Sequence, residues 1–139
     1  PAAIAVTLAG GGILLGLSRS LDAMLIGEEP AQSLGVPVES VKKILIVLSA
    51  LVTGTLVSVS GAIGFVGLII PHSVRSLMGV NHRYVLPGSF LAGGIFLVLA
   101  DTLARSILPG QQLPVGIVTA IAGVPFFLFL LRRTDYQFK

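Results

Sequence analysis

Long apolar runs alternate with short polar breaks along the chain, and the runs have the length of membrane crossings. Charges and turn residues divide it into five such stretches: residues 1–17, about 41–60, about 65–79, 84–107 and about 115–131. None has the polar face that would solvate a soluble amphipathic helix. The third is too short to span comfortably. The uncharged stretch 44–74 is too long for one span of about 20 residues and too short for two spans with a loop. It carries Gly61, Gly64 and Gly67 at its middle, so the pattern predicts a glycine-rich reversal followed by a short helix. The expected fold is all-α: a multi-pass transmembrane helical bundle of about five membrane helices, one of them short, plus two short helices outside the membrane.

Composition agrees. Hydrophobic residues make up 54% of the 139, charged residues only 11%, and the mean hydropathy is +0.98. The chain opens on Pro1 in an apolar run without the basic flank and small-residue cleavage pattern of a signal peptide, and so reads as the C-terminal part of something longer. Cysteine is absent, which excludes a disulfide framework, a thiol nucleophile and Cys-based metal sites from this chain. A net charge of +3 calls for a topological explanation before a nucleic-acid one, because basic residues collect on the cytoplasmic side of membrane proteins. If the short segment crosses, Arg19, Lys42, Lys43, Arg75, Arg83, Arg132, Arg133 and Lys139 share one side and Arg105 lies alone on the other. Without that crossing the nine basic residues divide four against five. The eight-to-one split favours five crossings, with the C-terminus cytoplasmic and residues 60–64 and 109–113 facing outward.

Small residues predict close helix packing. Gly12 and Gly16 are expected to face another helix within the bundle, while Gly116 with Ala120, and Thr119 with Gly123, suit either internal packing or a subunit interface. Tyr136 and Phe138 beside Arg132 and Arg133 read as an interfacial anchor.

Four of the six acids, Asp22, Glu28, Glu29 and Glu39, fall in one polar island after the first span. Ser20 is expected to cap a short helix starting at Leu21, with Asp22 near its positive N-terminus and Gly27 at its end. A second short helix follows: Pro30 suits its first turn, Gly35 its C-terminal stop, and Pro37 blocks continuation. Ala31, Leu34 and Val36 place apolar groups among the acids, as a partner-binding surface does and an ordinary solvated loop does not.

From Gly27 to Val36 the sequence GEEPAQSLGV resembles the coupling loop of permeases that import iron-siderophores, haem or cobalamin with an ATP-binding cassette. The resemblance continues through GAIGFVGL at 61–68, IPHSVR at 70–75, His82-Arg83, LADTLAR at 99–105 and LPVG at 113–116. It covers nearly the whole chain but only the C-terminal half of that family's ten-helix permease. Pro30 departs from the family's usual small residue. What the resemblance implies is a permease domain over residues 1–139 with a cytoplasmic coupling loop at 21–36 seated in a groove of the ATPase subunit. Glu28 and Glu29 are expected to pair with basic groups there, and Ala31, Leu34 and Gly35 to supply close packing. Arg105 is expected to dock an acid of the extracytoplasmic binding protein, although Asp101 four residues earlier also offers it an intrahelical partner. Further expected partners are a second permease copy, to which the last span contributes an interface, and the lipid bilayer of a bacterial inner membrane; nucleic acid is not expected.

The remaining polar residues carry no catalytic constellation. His72 and His82 fall at opposite ends of the short helix and cannot form a compact metal site, and His72 is expected to bond backbone groups freed by Pro71. No phosphate-cradling Gly-x-x-x-x-Gly-Lys-Ser/Thr loop occurs, so ATP is expected to be used by a separate subunit and no cofactor is expected on this chain. Iron-siderophore is the first expected substrate, haem and cobalamin the others. Two other readings remain open from the residues: a secondary transporter with its site in the broken segment 60–79, and a noncatalytic membrane anchor.

Overall fold

The structure, a computed structural model, describes residues 1–111 and 113–135. Tyr136, Phe138 and Lys139, which carry the expected anchor and one of the basic residues, lie outside the described residues. Among the described residues seven helices follow in order: α1 Ala2–Gly16, α2 Ser18–Met24, α3 Glu28–Ser33, α4 Val38–Ser60, α5 Val66–Met78, α6 His82–Ile107 and α7 Val115–Asp135. No strand occurs among the described residues. The chain is a multi-pass membrane protein with the expected all-α fold.

Among the described residues three helices are long and apolar enough to cross a bilayer: α4, α6 and, over Val115–Arg133, α7. At 1.5 Å per residue, the 23 residues of α4 extend about 35 Å, against a hydrocarbon core of about 30 Å. Several of its hydroxyl groups bond back along the helix: Ser49 Oγ donates to Leu45 O, Thr55 Oγ1 to Leu51 O at 2.7 Å and Ser60 Oγ to Leu56 O at 2.8 Å. No hydroxyl in that set is left to face lipid unsatisfied.

The first crossing is bent. α1 and α2 together qualify as a fourth span, broken by 55° around Leu17. Leu17 keeps helical dihedrals (φ −85°, ψ 0°), its N–H still bonds Ile13 O, and Leu21 N–H bonds Leu17 O, so the chain bends without stopping. This corrects the expected cap: α2 starts at Ser18 with no side-chain cap, Ser20 lies inside it, and Asp22 sits toward its C-terminal end. The charges Arg19 and Asp22 lie past the bend, so α1 is the apolar part of this pair and α2 its polar end.

α5 is the short one, 13 residues with Pro71 inside. It runs antiparallel to α6: a side chain at Gly88 would meet Val74 and Met78, and one at Gly93 would meet Ile70. Residues 61–65 connect α4 to α5 without regular structure and lie along the start of α7, Ala62 O against Gly116 and Phe65 against Gly123. Seven residues of α7 separate those two contacts, about 10 Å of rise. The non-helical segment therefore descends some two turns along α7 before α5 begins, and at 13 residues α5 by itself is shorter than a span. Irregular backbone at that depth is tolerated because it is packed against protein.

Helix contacts differ in one place from expectation. Added Cβ atoms at Gly12 and Gly16 meet nothing, whereas one at Gly10 would lie 2.6 Å from Val52 Cγ2; α1 approaches α4 through Gly10. On α7 the small-residue face is internal at Gly116, Gly123 and fully buried Thr119.

Candidate functional site

The polar island folds into a knob whose shape is set by its two glycines. Gly27 N-caps α3 at φ 137°, ψ 161°, a region closed to side-chain-bearing residues, and a Cβ there would also press Pro30 Cδ at 3.3 Å. At the other end Gly35 adopts φ 83°. Its N–H bonds Gln32 O at 2.9 Å and Val36 N–H bonds Ala31 O at 3.1 Å, the paired bonds of a Schellman stop. Pro30 occupies the first turn as expected.

α3 packs on α2 and α4. Ala31 is fully buried, as are Val38 and Val41 of α4. This corrects the expectation for Ala31: a methyl with no exposed surface holds the knob together from inside and presents nothing to a partner. Glu28 is paired with Lys42 of α4, which ties the start of α3 to the next helix. Glu39 and Lys43 form an exposed i,i+4 pair at 3.8 Å. Of the residues expected to meet a partner, the knob presents outward Glu29, with no ion pair among the described residues, the 70%-exposed side chain of Leu34, and the backbone at Gly35; Ile26, Pro30, Gln32 and Ser33 are exposed beside them.

A contact absent from the sequence reading braces this end of the molecule. Asp22 Oδ1 accepts from the His82 backbone N–H at 2.8 Å and lies 2.7 Å from His82 Nδ1, across 60 residues of sequence. Asn81 Oδ1 accepts from Arg83 N–H at 2.9 Å. Two of the four free N–H groups at the start of α6 are thereby satisfied, one by its own cap and one by α2. Burial raises the Asp22 carboxyl, but the backbone and ring hydrogen bonds from His82 and the charge of that ring outweigh it, holding the pKa below its ordinary 3.8. Nothing in the spacing of Asp22 and His82 signals this pair.

Arg105 lies 23 residues along α6 from His82, about 35 Å away, at the opposite end of the bundle from the knob. Its Nε donates to Asp101 Oδ2 at 2.9 Å, and its side chain is 80% exposed. His72 does not bond the backbone freed by Pro71, as had been expected; its ring meets Phe126 of α7 edge-on at 6.0 Å. No group of three or more His, Cys, Asp or Glu able to hold a metal occurs among the described residues.

This arrangement is a helical bundle with a glycine-bounded knob at one end and an exposed arginine, paired with Asp101, at the other. A profile of the FecCD transport family matches residues 1–133. The chain belongs to the FecCD transport family. Among related FecCD-family sequences, the cobalamin import system permease protein BtuC of Halobacterium salinarum is 50% identical over 136 residues, 98% of this chain and 36% of that protein. The hemin transport system permease protein HmuU of Yersinia pestis is 45% identical over 89% of this chain and 38% of its own length. The Fe(3+) dicitrate transport system permease protein FecD of Escherichia coli is 44% identical over 86% and 37%. A solved metal-chelate type ABC transporter in an inward-facing conformation superposes with a TM-score of 0.86 at 37% identity, over 94% of this chain and 42% of that one. The FecCD chain thus spans little more than a third of the length of the curated relatives it matches.

Proposed function

We propose that this chain is a C-terminal segment of the permease of an ATP-driven importer of metal chelates, in which the knob passes the movement of an ATPase subunit to the membrane helices. The observation that carries the reading is the knob itself: glycine-set at both ends, packed from within through Ala31, and exposing Glu29, Leu34 and Gly35. A partner's motion reaches a membrane gate only through a rigid element whose contacts differ between states, and a floppy loop transmits nothing. Packing on α2 and α4 links the knob to the first two crossings, and the Asp22–His82 contact links it to α6. Residues 21–36 form the coupling loop in this reading. Glu29 faces basic groups of the ATPase, while Glu28 serves mainly to hold α3 against Lys42.

The reading places the knob and the C-terminus in the cytoplasm of a bacterial inner membrane, following the charge split of the sequence. ATP is hydrolysed by the separate subunit, and this chain contributes no catalytic group. Arg105 stands at the outer end, where an acid of the extracytoplasmic binding protein competes with Asp101 for its guanidinium. An exposed apolar stripe on α7, Ile117, Ile121, Val124 and Leu128, suits contact with a second permease copy. Iron-siderophore is the first substrate to test, with haem and cobalamin beside it; relatives named for cobalamin, hemin and Fe(3+) dicitrate support the class and not one member.

The test is reconstitution of the full-length permease with its ATPase and binding protein in liposomes. Substrate-stimulated ATP hydrolysis with accumulation of chelate is expected, and Glu29→Lys is expected to weaken the stimulation while leaving membrane insertion intact. Uptake that follows an ion gradient without ATP would overturn the assignment.

A further inference from the structure

A cavity of about 670 Å³ opens where the α1–α2 bend meets the start of α6. It is separate from the outward face of the knob, and its walls repeat one pattern. On one wall Leu15 precedes Arg19 by four residues; on the other Pro87 follows Arg83 by four. Leu15 and Pro87 lie inside the crossing helices and the two arginines at their surface ends, so each wall is apolar toward the bilayer and cationic at its edge. Asn81 and Asp22 complete the polar rim. Asp22 is engaged by His82, and Asn81 Oδ1 by Arg83 N–H, whereas neither arginine has an ion pair among the described residues.

The geometry points to a site for an anionic phospholipid, its phosphodiester between Arg19 and Arg83 and the start of an acyl chain along Leu15 and Pro87. Two guanidiniums suit a phosphate through bidentate hydrogen bonds. Basic pockets between membrane helices at the surface are where anionic headgroups are held, and the volume falls within the range of about 300–1,000 Å³ usual for small-molecule sites. The apolar floor distinguishes this ligand from free phosphate, which has nothing to place there. A lipid so bound bridges the α1–α2 bend to α6 beside the Asp22–His82 contact, and steadies the knob's attachment without touching its outward face.

The test uses the full-length permease with phosphatidylglycerol and phosphatidylcholine, read by native mass spectrometry of retained lipid and by thermal unfolding. Wild type is expected to retain phosphatidylglycerol preferentially and to melt higher with it. In Arg19→Gln/Arg83→Gln the affinity is expected to fall about tenfold to thirtyfold, from the loss of two cations near an anionic surface. Arg19→Lys/Arg83→Lys keeps the charge and recovers part of the binding, which also guards against loss of fold in the glutamine variant. Arg132→Gln/Arg133→Gln, with the same change in net charge elsewhere, leaves retention unchanged. Equal retention by the Arg19→Gln/Arg83→Gln protein, an equal loss in the Arg132→Gln/Arg133→Gln protein, or displacement of the lipid by inorganic phosphate alone would each overturn the proposal.

Discussion

Replacing Gly123 by alanine tests the packing of the 61–65 segment on α7 through a change of sign. A Cβ at Gly123 would stand 2.2 Å from Phe65 Cβ and 2.4 Å from Phe65 Cγ. No rotamer relieves a clash with a Cβ, so the backbone of 61–65 or the axis of α7 must move. Overpacking of this kind costs about 1–3 kcal/mol. Phe65 also sits in the left-handed region at φ 64°, itself a cost of about 1–2 kcal/mol for a residue with a side chain. Phe65→Gly removes both that strain and the clashing atom, at the loss of the phenyl contact. In the Phe65→Gly background the three atoms nearest that Cβ are gone, and Gly123→Ala gains the helix preference of alanine, about 1 kcal/mol. The same substitution is therefore expected to destabilise the wild type and to stabilise the Phe65→Gly protein, a coupling of about 2 kcal/mol or more. The assay is equilibrium unfolding of the full-length permease in mixed micelles for the four members of the cycle. Equal effects of Gly123→Ala in the two backgrounds would refute the packing of the 61–65 segment on α7.

Two further substitutions test the knob and its brace. Gly35→Ala forces a side chain into φ 83° and is expected to cost about 1–2 kcal/mol locally, seen as faster hydrogen exchange across 28–36; Gly35→Asn, which tolerates that conformation better, is expected to lose less. Asp22→Ala removes the acceptor at the start of α6 and is expected to cost about 0.5–2 kcal/mol, measured by unfolding at neutral pH, with Asp22→Asn costing less because it still accepts the His82 N–H. Because the Asp22 carboxyl is held below its ordinary value in the folded protein, its contribution is complete above about pH 3.8 and is lost as pH falls through the lowered pKa. The acid limb of the wild-type melting profile is therefore expected to flatten in Asp22→Asn; an unchanged limb would remove Asp22 from the account.

Where local chemistry decides an element, the sequence was enough. Gly35 and Pro30 marked the ends of the short helix because positive φ and a missing N–H are properties of single residues, and the 44–74 stretch demanded a break because bilayer thickness fixes span length. Gly61 and Phe65 then supply that break with positive φ values. The failures concern which face of a helix meets which neighbour. Gly12 and Gly16 carried the packing signal, yet the approach is at Gly10, two residues before Gly12 and about 200° around the helix from it. Ser20 looked like a cap because a polar residue followed an apolar run, but Leu17 stays helical and turns the chain through a bend. Ala31 shared the island with the acids and was assigned outward with them; only the packing of α3 on two helices shows that it points in. The Asp22–His82 contact spans 60 residues and leaves no periodic trace.

The central claim, that the knob seats on an ATPase subunit, is tested most directly by a thiol at its tip. These 139 residues contain no cysteine, so Leu34→Cys places the one thiol of this segment on an exposed side chain, in a full-length background with any other cysteine replaced. The full-length permease carrying it is assembled with its ATPase and treated with a short bifunctional thiol–amine reagent, with Ile107→Cys at the opposite end of the bundle as the control. A cross-link from position 34 whose yield changes when ATP is bound, with none from position 107, is the predicted result. An assembled, transport-competent complex that gives no cross-link from position 34 would contradict the account.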